Sequence, residues 1–208
     1  MRPITLQDLE LIERVRAGQT EAFCEIVAKY QDRIFNTCWR ICGHLEDARD
    51  LTQEAFLRVF KGLSTFREES GFYTWIFRIA VNLALSHRRK MKKRREVSLD
   101  GQAAPTGTQA ESLARRMGRR SEPSATGRME QAETLARVSH ALHELDDDHR
   151  AVVVLRDIEG FDYHEIGAIL DVPPGTVKSR LHRARSELRR LLGPTGEVEP
   201  VWNRSGNG

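Results

Sequence analysis

The sequence has little that would suit a membrane-bound or exported protein. No apolar run approaches the ~20 residues that a membrane-spanning helix needs, and charges occur throughout the N-terminal segment, where a signal peptide would be apolar. Aromatic residues make up only 7% of the chain, and its three cysteines are an odd number. We therefore expect a cytoplasmic protein with reduced thiols, small cores and no membrane insertion.

The few cysteines give little reason to expect a metal site. Cys38, Cys42 and nearby His44 could supply three ligands, but both cysteines continue an apolar helical series that starts at Phe23. A fourth ligand is not apparent, and a structural zinc site needs four. We interpret these cysteines as core residues and predict neither a metal nor another cofactor.

Charge is abundant in both signs, and its distribution is uneven. The net charge is only +3, which says little about partners. Residues 88–95 hold seven basic side chains in eight positions, and residues 176–192 hold six against one acid, whereas residues 132–175 hold three against ten acids. Such basic segments favour binding to nucleic acid phosphates. A solvated helix end is the alternative for each.

Helical periodicity and the scarcity of strand patterns predict an all-α protein with two small helical domains joined by a flexible linker. The domains span residues 8–95 and 130–192. Residues 96–129 are rich in Gly, Ser, Thr, Pro and Ala and predict the linker, and residues 193–208 predict a disordered tail. The predicted helices lie at residues 6–18, 19–42, 45–62, 72–93, 130–144, 148–158, 162–170 and 176–192.

The strongest local pattern is a helix-turn-helix in the second domain. Asp162 can cap its first helix, with Glu165 completing a capping box. Pro173 and Pro174 cannot lie inside a helix, so the chain must turn there, and Thr176 can cap the next helix. That second helix has an apolar stripe on one side and basic side chains elsewhere, as expected for a helix that enters the major groove.

Two further surfaces belong to the first domain. Arg78, Asn82 and Arg89 share one face of a helix, and Phe66 lies in the loop before it, a combination that suits unpaired bases. Plain core packing is the alternative for the aromatic residues. The helix at 45–62 has an acidic side, which would repel DNA and indicates protein docking or ordinary solubility.

Three motifs resemble a bacterial sigma factor of the extracytoplasmic-function group, which keeps only regions 2 and 4. They are Asp-Leu-Thr-Gln-Glu-Ala-Phe at residues 50–56, Trp-Ile-Phe-Arg-Ile-Ala-Val-Asn at 75–82, and the helix-turn-helix at 162–185. The motifs occur in the family's order, and the resemblance covers nearly all of both domains. It implies a dissociable subunit of RNA polymerase that binds promoter DNA, with an anti-sigma factor as a further partner.

The resemblance also implies a role for each surface. The acidic side would dock on the clamp helices of the largest catalytic subunit of the polymerase core, through Asp47, Asp50, Gln53 and Glu54. The first domain would capture the −10 element as it melts, through Phe66, Arg67, Arg78, Asn82, Arg88 and Arg89. The helix-turn-helix would read the −35 element as duplex, through Thr176, Lys178, Ser179, Arg180, Arg183 and Arg185.

Two other functions compete with this interpretation. An operator-binding regulator would use the same helix-turn-helix, but such proteins typically dimerise, and no dimerisation heptad is apparent. A nucleic-acid enzyme would need a catalytic motif, and the sequence has no P-loop, no His-Glu-x-x-His and no zinc-deaminase pattern. We therefore predict a protein without catalytic residues.

Overall fold

The computed structural model describes residues 5–67, 71–97 and 125–193. Within these ranges the regular structure is helical and no strand occurs, which confirms the all-α class and the two helical domains. The first domain holds four helices: α1 (Leu6–Arg16), α2 (Glu21–Cys42), α3 (Leu45–Gly62) and α4 (Phe72–Val97). The second holds α5 (Ala125–Glu144), α6 (Asp147–Val153), α7 (Tyr163–Leu170) and α8 (Pro174–Leu192). The predicted flexible linker and disordered tail lie almost entirely outside the described residues.

Helix α2 is the centre of the first domain, because α1, α3 and α4 all pack against it. Its buried face includes Ile34, Cys38 and Cys42, so the interpretation of both cysteines as core residues is confirmed. Burial raises the pKa of Cys38 to about 12 and that of Cys42 to about 11. Both side chains therefore stay protonated thiols at neutral pH, without the thiolate character that metal binding or nucleophilic attack requires.

The helix-turn-helix forms with the predicted first cap but a different second one. Asp162 and Glu165 make both bonds of a capping box at the start of α7. Helix α8 begins at Pro174, not at Thr176, and Pro173 is its N-cap. Proline suits the first turn because its φ angle is already helical and its missing N–H has no partner there. The turn between the helices is tight, since a Cβ on Gly167 would lie 2.7 Å from the Val172 carbonyl oxygen.

A buried arginine organises the second domain and joins it to the first. The Arg150 guanidinium donates to the carbonyl oxygens of Leu142, His143 and Leu145 at 2.6–2.7 Å, where α5 ends. It also donates to the Ile41 oxygen of α2 at 2.9 Å. These carbonyls have no partner within their own helices, so one cation satisfies the ends of two helices. Burial lowers the pKa of Arg150 to about 10, which leaves it charged at neutral pH.

The two domains are in direct contact, which the sequence did not predict. Helix α7 packs on α4, and Phe161 just before α7 stacks on Tyr73 of α4 with ring centroids 4.9 Å apart. Phe161 also meets Phe77 edge-on at 5.0 Å. A second contact brings Trp39 of α2 against His143 of α5. The apolar core therefore continues from one domain into the other.

A buried carboxylate lies within this domain interface. Glu159 follows a π-helical turn (Val154–Ile158) that extends α6, and it is only 5% exposed. It accepts a hydrogen bond from the Thr37 hydroxyl at 3.0 Å and one from the Tyr73 hydroxyl at 3.4 Å. The Nε atom of Arg33 lies 3.3 Å from it. A buried charge requires such partners, so Glu159 ties the second domain to two helices of the first.

Candidate nucleic-acid interface

Helix α8 presents a basic face because its apolar face is anchored. The anchoring side chains are buried against α6 and α7, and they are Val177, Leu181, Ala184 and Leu188. The opposite side is exposed and carries Lys178, Ser179 and Arg183. Thr176 is half-buried beside them. One face of the N-terminal half of α8 is therefore accessible to solvent, as docking into a major groove requires.

Two predicted DNA-contacting arginines are engaged inside the second domain. The Arg180 guanidinium lies 2.7 Å from the Asp148 carboxylate. Arg185 makes two contacts with Asp157, whose side chain is only 4% exposed, and this partner raises the pKa of Arg185. The first pair is partly exposed and is worth at most about 1 kcal/mol, so a phosphate could compete for Arg180. Arg185 instead anchors α8 to the turn after α6.

Helix α4 carries the second exposed basic face. Arg78, Asn82 and Arg89 are exposed and follow one another at helical spacing, as predicted. Arg88 behaves differently, because it is half-buried and ion-paired with Asp147 of the second domain. In this structure the two domains are in contact, which we call the closed arrangement. The second domain therefore holds one of the predicted −10 cations, Arg88.

The aromatic residues before and within α4 form one packed cluster. Phe66 is only 6% exposed and packs edge-on against Phe72 at 5.6 Å and tilted against Trp75 at 4.8 Å. Its ring as placed here offers no free face to a base, so the core-packing alternative describes its position. Trp75 is half-buried and Arg67 is exposed, which leaves these two as the accessible side chains of the cluster.

The acidic side of α3 is exposed beside an apolar groove. Asp50 and Gln53 are exposed, Glu54 pairs with Arg58 of the same helix at 2.7 Å, and Asp47 lies 3.1 Å from His87 of α4. Next to Gln53, an open groove of about 580 Å³ runs between α2 and α3. Its apolar lining is Phe23, Val27, Phe56, Leu57 and Phe60.

Two apolar residues of α3 remain uncovered beside this groove, which the sequence analysis did not single out. Leu57 is 55% exposed and Phe60 is 42% exposed. Large apolar side chains exposed together on one face mark an interaction surface more often than isolated ones do. The only available signal was their place next to the acidic side, which does not show whether another helix covers them.

The described residues give no sign of a metal or membrane site. Within residues 5–67, 71–97 and 125–193, no group of three or more His, Cys, Asp or Glu could hold a metal ion. In the same ranges, no helix combines the length and the low polarity needed to cross a membrane.

Comparison with known proteins finds a family match within each of the two domains. The Sigma-70 region 2 model matches residues 26–95, and the Sigma-70 region 4 model matches residues 135–188. The chain is 35% identical to the RNA polymerase sigma-H factor of Pseudomonas aeruginosa, covering 90% of this chain and 95% of the relative. It is 36% identical to the ECF RNA polymerase sigma factor SigW of Bacillus subtilis, covering 87% and 94%.

Two solved structures match this chain over both of its domains. The structure of CnrH in complex with the cytosolic domain of CnrY matches with a TM-score of 0.63 and 26% identity, over 89% of this chain and 97% of that one. The sigma factor RpoE from Bartonella quintana, solved in complex with the anti-sigma factor NepR, shares the fold with a TM-score of 0.63 at 22% identity, over 82% and 96%. The chain therefore belongs to the sigma-70 family, in its extracytoplasmic-function group.

Proposed function

We propose that this sigma factor divides promoter recognition between its two domains while α3 binds the polymerase core. The observation that carries the proposal is that each matched sigma region contains a surface with the charge that its proposed role requires. Region 4 contains the exposed basic face of α8, and region 2 contains both the exposed basic face of α4 and the acidic side of α3. The proposed domains span residues 8–95 and 130–192, and residues 96–129 are the proposed linker. The family consists of initiation factors, not enzymes.

The second domain would read the −35 element as duplex. Lys178, Ser179 and Arg183 are exposed on the N-terminal half of α8 and can reach base edges or phosphates. An arginine that pairs with guanine contributes about 1–3 kcal/mol of discrimination. Thr176 and Arg180 lie at the margin of this surface. Arg185 would act mainly by holding α8 in position, since its charge is already neutralised.

The first domain would capture the −10 element as separated strands. Removing a base from the duplex costs a few kcal/mol, which stacking and edge contacts can offset without hydrolysis. Arg67, Arg78 and Asn82 are exposed for such contacts, and Arg89 can hold phosphate. Phe66 would support this surface by packing against Trp75, because its own ring is buried. Arg88 would become available when Asp147 moves away with the second domain.

The polymerase core would bind the acidic side of α3 together with the neighbouring apolar groove. Asp50, Gln53 and Glu54 supply polar contacts around the exposed Leu57 and Phe60. Protein interfaces commonly combine an apolar centre with a polar rim. We propose that the clamp helices of the largest catalytic subunit dock there, in the cytoplasm. RpoE was solved with the anti-sigma factor NepR, and we propose that an anti-sigma factor binds this chain too.

Promoter binding would require the two domains to separate. Promoter elements about two helical turns apart are separated by ~70 Å, whereas the domains of this chain touch through Tyr73 and Phe161. The polymerase surface would therefore hold the domains apart. The isolated chain is expected to bind promoter DNA weakly and with little sequence preference.

Charge reversal on α3 tests the proposed core contact. Asp50→Lys should lower the affinity for purified core polymerase about tenfold, because it places a like charge against a basic partner surface. Asp32→Lys is the matched control, since Asp32 is an exposed acid on α2. Equal affinities for core of the two variants, measured by fluorescence anisotropy of labelled chain, would refute this assignment.

A further inference from the structure

Helix α1 contacts the turn that precedes the proposed −10 surface. It does so although it lies before the part of the chain that matches region 2. The match begins at residue 26, and α1 ends at Arg16. The Nε atom of Arg16 donates to the Leu63 carbonyl oxygen at 3.1 Å, and Nη2 donates to the Phe66 carbonyl oxygen at 2.5 Å. Both oxygens belong to the turn that connects α3 with α4.

The Arg16 guanidinium supplies a donor to both of these oxygens. Leu63 begins a single 3₁₀ turn (Leu63–Thr65), and among the described residues its oxygen also accepts a long backbone bond of 3.4 Å from the Phe66 amide. The Arg16 side chain is 26% exposed and is oriented by Glu13, which accepts from Nη1 at 2.8 Å. A guanidinium is a rigid planar fork, so it fixes two acceptors relative to each other in a way that the single ammonium of lysine does not.

Helix α4 also packs against this turn. A Cβ on Gly62 would lie 3.0 Å from the Trp75 ring, so the indole packs directly on the backbone that leads into the turn. The Phe66 ring then lies against the same indole. Arg67 follows immediately and is exposed. Arg16 and Trp75 therefore both contact the turn that precedes Arg67, the first exposed basic residue of the proposed −10 surface.

We propose that Arg16 is a positioning residue for −10 capture, which holds the turn from Leu63 to Phe66 in the conformation that presents Arg67 and Trp75 to unpaired bases. The inference rests on the proposed role of the first domain as the −10 reader. A turn that is ordered before binding avoids the entropy loss that ordering it on the DNA would cost. Arg16 therefore contributes to the affinity for the correct single strand without contacting a base.

A direct phosphate contact by Arg16 is the competing explanation, and it makes different predictions. Such a contact is blind to sequence, so its loss would weaken binding to every single strand alike and reduce the salt dependence. Lysine would replace arginine in that role because a phosphate contact needs only the charge. For positioning, lysine keeps the charge but loses one of the two carbonyl bonds.

The test measures binding of the complete holoenzyme to single strands. The probe is a fluorescent oligonucleotide that carries the non-template −10 sequence of a promoter mapped by run-off transcription, and its scrambled version is the reference. Arg16→Ala should lower the affinity for the mapped sequence roughly tenfold and that for the scrambled one by no more than about twofold. Arg16→Lys should retain most of the defect. Arg14→Ala, on the same helix as Arg16, removes an exposed ion pair with Glu25 of α2 and should match the wild type.

The outcomes separate the possible explanations. Unchanged binding by Arg16→Ala, equal losses on both oligonucleotides, or full recovery in Arg16→Lys would overturn the inference alone. A simultaneous loss of affinity for core polymerase would also overturn it, because the defect would then be one of folding. If wild-type holoenzyme failed to distinguish the mapped sequence from the scrambled one, the proposed −10 role would fail as well.

Discussion

Removing the Glu159 carboxylate should open the molecule. Glu159→Ala deletes a buried acid that bridges the second domain to both α2 and α4 of the first. The substitution removes no side chain from the apolar core, so each domain should stay folded. The closed arrangement should lose stability relative to an open one in which the domains are tethered only by the linker.

Three contacts of the carboxylate set the scale of the effect. The hydrogen bond from Thr37 at 3.0 Å is short and buried, and bonds to charged groups contribute about 1.5–3 kcal/mol. The Tyr73 bond is long at 3.4 Å, and the Arg33 side chain is 49% exposed, so both add little. We expect a loss of about 2 kcal/mol, which raises the ratio of open to closed molecules about 30-fold.

Energy transfer between two dyes would report this ratio. Cys24 is an exposed thiol in the first domain, whereas Cys38 and Cys42 are buried, so labelling of the native chain is selective. A second dye on Ser186→Cys marks the exposed side of α8. The wild-type chain should show high transfer, and Glu159→Ala should shift molecules to low transfer. Since the core is proposed to bind the open form, its apparent affinity should rise by up to the same factor.

The matched control is Glu133→Ala, which removes an exposed acid from α5. It should leave the transfer efficiency and the affinity for core unchanged. If Glu159→Ala gave the wild-type transfer distribution and the wild-type affinity for core, Glu159 would not hold the domains together, and the reasoning from its buried contacts would be refuted.

Three further predictions address single residues. Arg183→Ala should weaken −35-dependent initiation by about 1–3 kcal/mol if the side chain pairs with guanine, with core binding unchanged; normal promoter opening by the variant holoenzyme would remove Arg183 from the site. His143 has its pKa lowered to about 4 by burial, Arg150 and Arg88, so the unfolded chain takes up this proton first and the free energy of unfolding should fall as pH drops from about 6.5 to about 4. Denaturant titrations of His143→Gln should show a free energy of unfolding that depends less on pH over that window. The same dependence on pH as in the wild type would contradict the assignment. Arg150→Met should lower the free energy of unfolding by roughly 3–5 kcal/mol, because three buried carbonyl oxygens and a fourth, partly buried one lose their donor; a loss below about 1 kcal/mol in thermal or denaturant unfolding would contradict this.

The helices and the exposed faces were predictable because periodicity records which side of a helix is buried. The apolar stripe of α8 and the exposed positions of Arg78 and Asn82 follow from spacing alone. The capping box at Asp162 and Glu165 was equally predictable, since its partners are three residues apart. Features that depend on neighbours within one or two helical turns are therefore present in the sequence itself.

Features that depend on distant partners were not predictable. Arg185 reads as a DNA-binding cation until packing brings Asp157, 28 residues earlier, against it. Phe66 reads as an exposed loop aromatic until Phe72 and Trp75 enclose it. The closed domain interface depends on Phe161 meeting Tyr73 from a different domain. Burial patterns show that a side chain is covered but not by what, so these contacts required the three-dimensional structure.

Run-off transcription with purified core polymerase tests the central claim most directly. Core enzyme alone should give no discrete transcript on genomic fragments from the source organism, and adding the purified chain should give transcripts that start at fixed positions downstream of shared −35 and −10 sequences. Arg183→Ala in the same assay should reduce those transcripts selectively. If the chain neither associated with core enzyme nor produced defined start sites at any moderate salt concentration, the account of a promoter-directing sigma factor would be contradicted.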